Sequence, residues 1–358
     1  MTQFYPANHP HLRYIGRFDT RDPTAVRFAW STSQIQWRFT GTSCVAHLEE
    51  TPNLESLSNY FAVRLDDRSP TSFKLDPNKT RYILAQDLEP GEHTLTLIKR
   101  TEAFFPVVTF RGLELDAGQQ LRPIRNIPPH RLEFIGDSIT CGYGNGAING
   151  EEEFSDATEN ADQSYAAIAA RRLNADVVTL CRSGFGLTRN YDQSTQPTMA
   201  HRWEQVLWTD SLRWRFQTQI PDAVIINLGT NDFAHEPPEA EVFVSAYVQL
   251  IQQVRSHYPD VQIVSLIGPI MGDDWPTNPE TNQPFPSLAL MREYLAQVQA
   301  VMVTEGGQPI QVLELTPQIP ERGYGANFHP SLAQHQLNGQ ELADFLRPLL
   351  LQRNFSDD

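Results

Sequence analysis

The first third of the chain alternates apolar and polar side chains with a period of two. Between residue 12 and about residue 116, short β-branched and aromatic segments are separated by turn residues. In one of them Ile35, Trp37 and Phe39 fall on the same face of a strand, because successive strand side chains point to opposite sides. This segment is 34–39, and others of the same kind occur at 25–30, 60–65 and 93–99. The pattern predicts an all-β sandwich with one packed and one solvated face per sheet.

Residues 121–130 carry three prolines, which cannot donate a main-chain hydrogen bond and which favour extended backbone before them. We interpret this stretch as a linker. The predicted organisation is therefore a sandwich over residues 1–120, a linker over 121–130 and a second domain over 131–358.

The second domain alternates short apolar runs with long amphipathic segments, which is typical of a parallel sheet with crossover helices. The predicted strands are 132–135, 176–180, 223–228, 262–267 and 311–315, and the predicted helices are 163–173, 240–258, 288–304 and 332–351. This is the pattern of an α/β/α sandwich. Sheets of this kind bind ligands at the carboxyl ends of their strands.

Composition excludes several partners. The chain of 358 residues has a formal net charge of -15, which repels a phosphate backbone and an anionic lipid surface. It contains no run of about 18 apolar residues. We therefore expect no nucleic acid and no membrane partner, and nothing in the pattern indicates an oligomeric state.

The cysteines and the N-terminus bear on the cellular compartment. Cys44, Cys141 and Cys181 are too few and too scattered for a disulfide framework, so free thiols are expected. The N-terminus lacks a basic segment followed by an apolar run, so the chain as it stands is expected to be cytoplasmic, or secreted if a signal has been removed.

Chemically capable residues follow three of the predicted strands. Ser138 lies in Gly-Asp-Ser-Ile-Thr directly after the first strand, where it could act as a nucleophile. Gly184 lies in a turn after the second strand, and Asn231 lies in Gly-Thr-Asn-Asp after the third. Main-chain and side-chain amides at such positions can stabilise an oxyanion. Taken singly, the Ser138 block is better explained as a turn with a helix cap and the Gly184 block as an ordinary turn. The Asn231 block is about equally well explained as an Asx turn or a helix cap at Asp232.

A histidine near the C-terminus is a candidate general base for the serine. His329 precedes Pro330, which disfavours helical backbone and places the imidazole on a loop before the last helix. An imidazole is the natural general base for a serine hydroxyl, although nine other histidines compete for that role.

Together these blocks, in this order, resemble those of SGNH hydrolases. The longer forms at 136–144 and 328–331 resemble carbohydrate esterase family two, the two-domain acetylxylan esterases, and so do the N-terminal segments 13–17, 91–93 and 99–102. The resemblance implies a jelly-roll sandwich followed by an SGNH esterase domain. It also implies an acetylated carbohydrate as the substrate, and neither a metal nor another cofactor.

The mechanism implied by this resemblance is deacetylation of xylan- or mannan-type saccharides. Ser138 attacks the acetyl carbonyl, and His329 takes the proton and later returns it to the leaving sugar hydroxyl. The main-chain N–H groups of Ser138 and Gly184 and the side-chain amide of Asn231 bind the oxyanion.

The chain departs from the family pattern beside the histidine. An acidic residue often stands two positions before it, with tryptophan between, whereas this chain has Asn327 and Phe328. We therefore expect a Ser-His dyad oriented by a neutral acceptor, either Asn327 itself or a main-chain carbonyl. The ring of Phe328 is a candidate for contact with the sugar or the acetyl methyl, with plain core packing as the alternative.

Two other functions fit parts of the sequence. The same hydrolase chemistry could act on lipid, thioester or aryl esters, but there is no apolar lid-like segment. The chain could instead be a carbohydrate-binding protein whose hydrolase domain is catalytically impaired, an interpretation that Asn327 leaves open. For the sandwich itself, bracing the second domain is favoured over substrate binding.

Overall fold

A computed structural model describes residues 2–51, 57–304, 306 and 308–353. The strands are β1 (Thr2–Pro6), β2 (Arg13–Ile15), β3 (Val26–Phe28), β4 (Gln34–Gly41), β5 (Cys44–Glu50), β6 (Tyr60–Leu65), β7 (Thr71–Lys74), β8 (Arg81–Ala85), β9 (Gly91–Lys99), β10 (Val108–Asp116), β11 (Leu121–Arg122), β12 (His130–Gly136), β13 (Ala175–Cys181), β14 (Ala223–Asn227), β15 (Gln262–Ile267) and β16 (Gln311–Glu314). The α-helices are α1 (Ser138–Cys141), α2 (Tyr165–Arg172), α3 (Met199–Arg202), α4 (Ala240–His257), α5 (Ser287–Thr304) and α6 (Leu332–Arg353). This order confirms the prediction of an all-β part followed by an α/β part.

Two antiparallel sheets form the N-terminal sandwich. One has the order β1-β10-β5-β8 with β3 beside β10, and the other has the order β11-β4-β9-β6-β7 with β2 beside β4. Ile35, Trp37 and Phe39 are buried together with Phe28 and Phe110 from the opposite sheet. The alternation of β4 therefore places its apolar face in the core, as its period of two predicts.

The proline-rich segment begins inside this sandwich. Leu121 and Arg122 form β11 and pair with Phe39 and Arg38 of β4. The ladder ends at Pro123 because a proline has no N–H to donate. The chain then crosses to β12, which opens the second part.

The second sheet has five parallel strands in the order β13-β12-β14-β15-β16. Leu132 and Phe134 of β12 share a core with α2 and α6, whereas Ile135 packs in a core on the other face with α4 and α5. The five predicted strands and four predicted long helices are all present. The four-residue helices α1 and α3 are too short to give a periodic pattern. Among the helices in the described ranges, none combines the length and apolar character needed to cross a bilayer.

Contacts between the sandwich and the α/β part include a buried ion pair. Arg17 from the sandwich lies 3.2 Å from the Glu133 carboxylate of β12, and both side chains are almost fully buried. The Trp30 indole donates to the main-chain oxygen of Gln205 at 3.2 Å. Because a charge removed from water is costly unless it is paired, separating the two parts here would leave each of these charges without its partner.

Candidate active site

Three neighbouring strands bring the candidate residues to one edge of the sheet. Gly136 at the end of β12 is in register with Cys181 of β13 and Asn227 of β14. The loops that follow these positions carry Ser138, Gly184 and Asn231. Because the strands are parallel and adjacent, their carboxyl ends open into one cleft.

A tight turn holds Ser138 at the tip of β12. Ser138 is the first residue of α1, and Asp137 caps this helix by accepting the Ile139 N–H at 3.0 Å. Position 136 must be glycine, because a Cβ there would lie 2.1 Å from the Thr140 hydroxyl oxygen. The serine side chain thus leaves the sheet directly after the strand.

The histidine loop docks against the loop that follows this serine. Gly144 has a positive φ of 54°, and a Cβ there would lie 2.4 Å from the Ala326 Cβ. Its carbonyl oxygen accepts the Ala326 N–H at 2.9 Å. This close approach places His329 Nε2 2.9 Å from Ser138 Oγ, a hydrogen-bond distance that would allow the imidazole to accept the hydroxyl proton.

The other imidazole nitrogen faces main-chain oxygens. His329 Nδ1 lies 3.2 Å from the carbonyl oxygen of Ala326 and 3.3 Å from that of Asn327. The side chain of Asn327 turns away, since it accepts from the Tyr143 hydroxyl at 3.0 Å and donates to Glu153 at 3.2 Å. Of the two acceptors considered from the sequence, the main-chain carbonyls are the ones beside Nδ1.

Burial and an aromatic neighbour define the environment of the imidazole. The ring of Tyr143 lies 4.3 Å from that of His329 between centroids, and Phe154 stacks on the same tyrosine. Burial lowers the pKa of His329 from its ordinary value near 6.5, and the two carbonyl contacts and the charge of Glu102 oppose that change. At neutral pH this burial favours the neutral form of the imidazole, the form that accepts a proton.

Two candidate oxyanion donors lie in the same pocket. Gly184 has a φ of 76°, and among the residues that the structure describes its N–H has no acceptor. The Asn231 side-chain nitrogen donates one hydrogen to the Phe185 carbonyl at 2.9 Å, which leaves its second hydrogen for a ligand. Both residues line the cleft together with Ser138 and His329.

The cleft itself has a volume of about 700 Å³ and an aromatic mouth. Phe328 is 55% exposed and Tyr191 is 59% exposed, and Trp275 joins them in the lining. Such rings present flat apolar faces beside the polar residues at the base of the cleft. A ligand with both apolar faces and hydroxyl groups fits this arrangement.

Some residues of the site gave no clear sequence signal. Tyr191 and Trp275 lie in long irregular loops, and Glu153 lies in an acidic run, so no periodic pattern singles them out. Tyr143 does fall inside the extended serine motif, and that motif could have identified it.

Asp232 is buried, and its carboxylate accepts the main-chain N–H groups of residues 187–189 at 2.6–3.1 Å.

Comparison with known families matches both parts of the chain. Residues 14–124 match the model described as carbohydrate esterase 2 N-terminal, and residues 134–337 match the GDSL-like lipase/acylhydrolase family. A solved structure of a family two carbohydrate esterase from Clostridium thermocellum, in complex with cellohexaose, is 35% identical. The similarity covers 95% of this chain and 99% of that one, with a TM-score of 0.86.

The chain belongs to carbohydrate esterase family two.

Curated relatives support this membership of family two. The cellulase/esterase CelE of Acetivibrio thermocellus is 36% identical over 335 residues, which are 94% of this chain but only 39% of that protein. An acetylxylan esterase / glucomannan deacetylase of Cellvibrio japonicus is 27% identical over 276 residues, which cover 76% of this chain and 75% of that protein. The family two chain thus spans about two fifths of the first relative and three quarters of the second.

Proposed function

We propose that this family two protein is a carbohydrate O-acetyl esterase that hydrolyses acetyl esters of xylan- or mannan-type saccharides through a covalent acetyl-enzyme. The observation that carries the proposal is the 2.9 Å contact between Ser138 Oγ and His329 Nε2 in a cleft that also contains Gly184 and Asn231. A nucleophile, its base and two oxyanion donors around one cavity are the parts that acyl transfer requires.

In the first half-reaction, His329 Nε2 accepts the Ser138 hydroxyl proton as Oγ bonds to the acetyl carbonyl carbon. The N–H groups of Ser138 and Gly184 and the Asn231 amide stabilise the oxyanion of the tetrahedral intermediate. Its collapse breaks the bond to the sugar oxygen, which takes the proton from His329 and leaves as a hydroxyl. In the second half-reaction, water repeats these steps and releases acetate.

Among the residues that the structure describes, no carboxylate contacts the imidazole that becomes charged in both steps. The main-chain oxygens of Ala326 and Asn327 accept the Nδ1 proton and hold the ring in the tautomer that leaves Nε2 free. Carbonyl dipoles stabilise a positive ring less than a carboxylate does. The site is therefore a Ser-His dyad in our proposal.

The shape of the cleft favours a saccharide. Tyr191, Trp275 and Phe328 offer rings on which the C–H faces of sugars can pack, and polar side chains between them can meet hydroxyl groups. The Clostridium thermocellum relative was solved with cellohexaose, and the Cellvibrio japonicus relative is named for xylan and glucomannan deacetylation. These names and the open aromatic mouth support an acetylated polysaccharide or oligosaccharide as substrate.

Acetate release tests the proposed substrate class. We expect acetate from acetylated xylan and from acetylated glucomannan, and slower hydrolysis of 4-nitrophenyl butyrate than of 4-nitrophenyl acetate. Faster hydrolysis of the butyryl ester would instead support the esterase or lipase alternative. Saccharide binding without hydrolysis of any ester would support the catalytically impaired binding protein.

The environment of His329 also predicts the acid limit of activity. Because burial lowers the pKa of His329, the imidazole stays neutral to a pH below 6.5 and becomes protonated only in more acidic solution. We therefore expect kcat/KM for 4-nitrophenyl acetate to be constant near neutral pH and to fall on acidification with a midpoint below 6.5. A midpoint above 6.5 would contradict a buried, neutral base.

A further inference from the structure

The segment 99–102 of the sandwich leads to the edge of the active site. The sequence marks it only through the family resemblance, since it lies in the all-β part, 36 residues before Ser138. It begins at Lys99, the last residue of β9, and ends in Glu102, whose side chain is only 2% exposed. A buried carboxylate needs partners that offset its desolvation, and the side-chain partners of Glu102 come from the α/β part.

Those partners belong to the loop that carries Gly184. Glu102 Oε2 accepts the main-chain N–H of Ser183 at 2.7 Å and lies 3.3 Å from the Arg182 guanidinium. The N–H of Ser183 is on the residue directly before the candidate oxyanion donor. Its hydrogen bond to a fixed acceptor therefore restrains the backbone that aims the Gly184 N–H.

Glu102 is itself held firmly. Its carbonyl oxygen accepts from the fully buried Lys99 ammonium at 2.9 Å, and its N–H donates to Glu159 at 3.2 Å. Lys99 also donates to the carbonyl oxygen of Thr101 at 2.7 Å. The acceptor offered to the loop is thus part of a buried network with little freedom to move.

A second carboxylate restrains the same loop farther along. Asp232 accepts the N–H groups of residues 187–189, and the Gly184 carbonyl accepts the Tyr191 N–H at 2.7 Å. The loop is therefore fixed on both sides of Gly184, by Glu102 from the sandwich and by Asp232 from the α/β part. A glycine with a φ of 76° needs such restraint, because glycine gains more conformational freedom than other residues when contacts are lost.

We propose that Glu102 is a positioning residue that acts through the Ser183 N–H to hold the Gly184 N–H in the oxyanion hole. The inference rests on the proposed esterase function, since it assigns Gly184 a role in that reaction. It gives the sandwich a part in catalysis beyond bracing the α/β part. Oxyanion donors stabilise the transition state more than the bound ester, so misplacing Gly184 lowers kcat and leaves KM nearly unchanged.

Two substitutions at Glu102 separate the hydrogen bond from the charge. Glu102→Ala removes the acceptor, and we expect kcat for 4-nitrophenyl acetate to fall about 10²-fold with KM within about threefold of wild type. Glu102→Gln keeps an acceptor oxygen in the same place, and we expect it to retain kcat within about tenfold of wild type. Rates are to be expressed per active site, counted by titration with an organophosphate that labels the catalytic serine.

Asp116→Asn serves as the matched control. Asp116 also accepts main-chain N–H groups, those of Thr42 at 2.8 Å and Ser43 at 3.1 Å, but these contacts lie within the sandwich. The control should keep the wild-type kcat even if its melting temperature falls. A purely structural role of Glu102 would likewise lower the melting temperature or the fraction of active sites without changing kcat per site.

The outcomes distinguish the two proposals. Unchanged kcat per site in Glu102→Ala, or an equal loss in the Ala and Gln variants, overturns the positioning role while leaving the esterase function intact. A wild-type protein that hydrolyses no acetyl ester overturns the proposed function, and the role of Glu102 falls with it. A large loss of kcat per site in Glu102→Ala, with kcat close to wild type in Glu102→Gln, supports both the positioning role and the esterase function.

Discussion

Replacement of Ser138 with alanine is expected to lower the hydrolysis of 4-nitrophenyl acetate by at least about 10⁴-fold. The substitution removes the Oγ that lies 2.9 Å from His329 Nε2, so no acetyl-enzyme can form. The oxyanion donors remain, and water attacking directly in their presence gives only a small residual rate. The variant should fold normally, since alanine is smaller than serine and Ser138 points into the cleft.

The measurement compares steady-state rates for Ser138→Ala and for Ser211→Ala. Ser211 is an exposed serine outside the cleft lining, so its variant should match wild type. Acetate release from acetylated xylan provides the same comparison on a saccharide. Turnover of Ser138→Ala within tenfold of wild type would rule out the serine mechanism.

Removal of the His329 imidazole is expected to cost about 10³- to 10⁴-fold in kcat/KM, whereas removal of the Asn327 side chain should cost less than tenfold. The difference follows from which atoms contact Nδ1. These are main-chain oxygens of Ala326 and Asn327, and a side-chain substitution leaves them in place. The Asn327 amide contacts Tyr143 and Glu153 instead.

The choice of substitution at position 327 matters for this test. Asn327 has a φ of 51°, a region that alanine adopts only at a cost and glycine adopts freely. Asn327→Gly is therefore the matched partner for His329→Ala, and Asn327→Ala reports side-chain loss together with backbone strain. Comparable losses in Asn327→Gly and His329→Ala would make Asn327 a third catalytic member. A gain in rate for Asn327→Asp would show that the site lacks negative charge.

Much of the candidate site could be predicted because its residues follow regular strands. The apolar runs predicted β12, β13 and β14, and adjacent parallel strands bring their carboxyl ends together whatever the details of packing. The approximate positions of Ser138, Gly184 and Asn231 follow from that rule alone. His329 required the additional signal of a proline that keeps its backbone out of a helix.

The acceptor for His329 could not be chosen from the sequence for a physical reason. Every residue carries a carbonyl oxygen, so the pattern of side chains says nothing about which main-chain oxygen faces an imidazole. The chain turns at Asn327 and Phe328, which both have a positive φ, and the loop is hydrogen-bonded to the Gly144 and Gly150 carbonyl oxygens through the N–H groups of Ala326 and Phe328. Such contacts depend on how distant loops meet.

The contact of Glu102 could not be predicted from the sequence either, because it joins segments that are far apart along the chain. Its Ser183 contact joins residues 81 positions apart, in two parts with different periodicity. Hydrophobic patterns predict the core of each part, but the fit between the parts depends on side-chain shape at their boundary. The cleft aromatics Tyr191 and Trp275 belong to irregular loops and carry no periodic signal either.

The hydrogen bond from Ser183 to Glu102 also bears on how such proteins can be recombined. If the loop that carries Gly184 takes its shape from the sandwich, a hydrolase domain fused to a different β-domain would keep Ser138 and His329. Its oxyanion hole, however, would be poorly formed. The smallest unit that can be transferred with its activity is then the sandwich together with the hydrolase domain. In the much longer cellulase/esterase CelE, the matching stretch extends over 94% of this chain, so both halves are present there together.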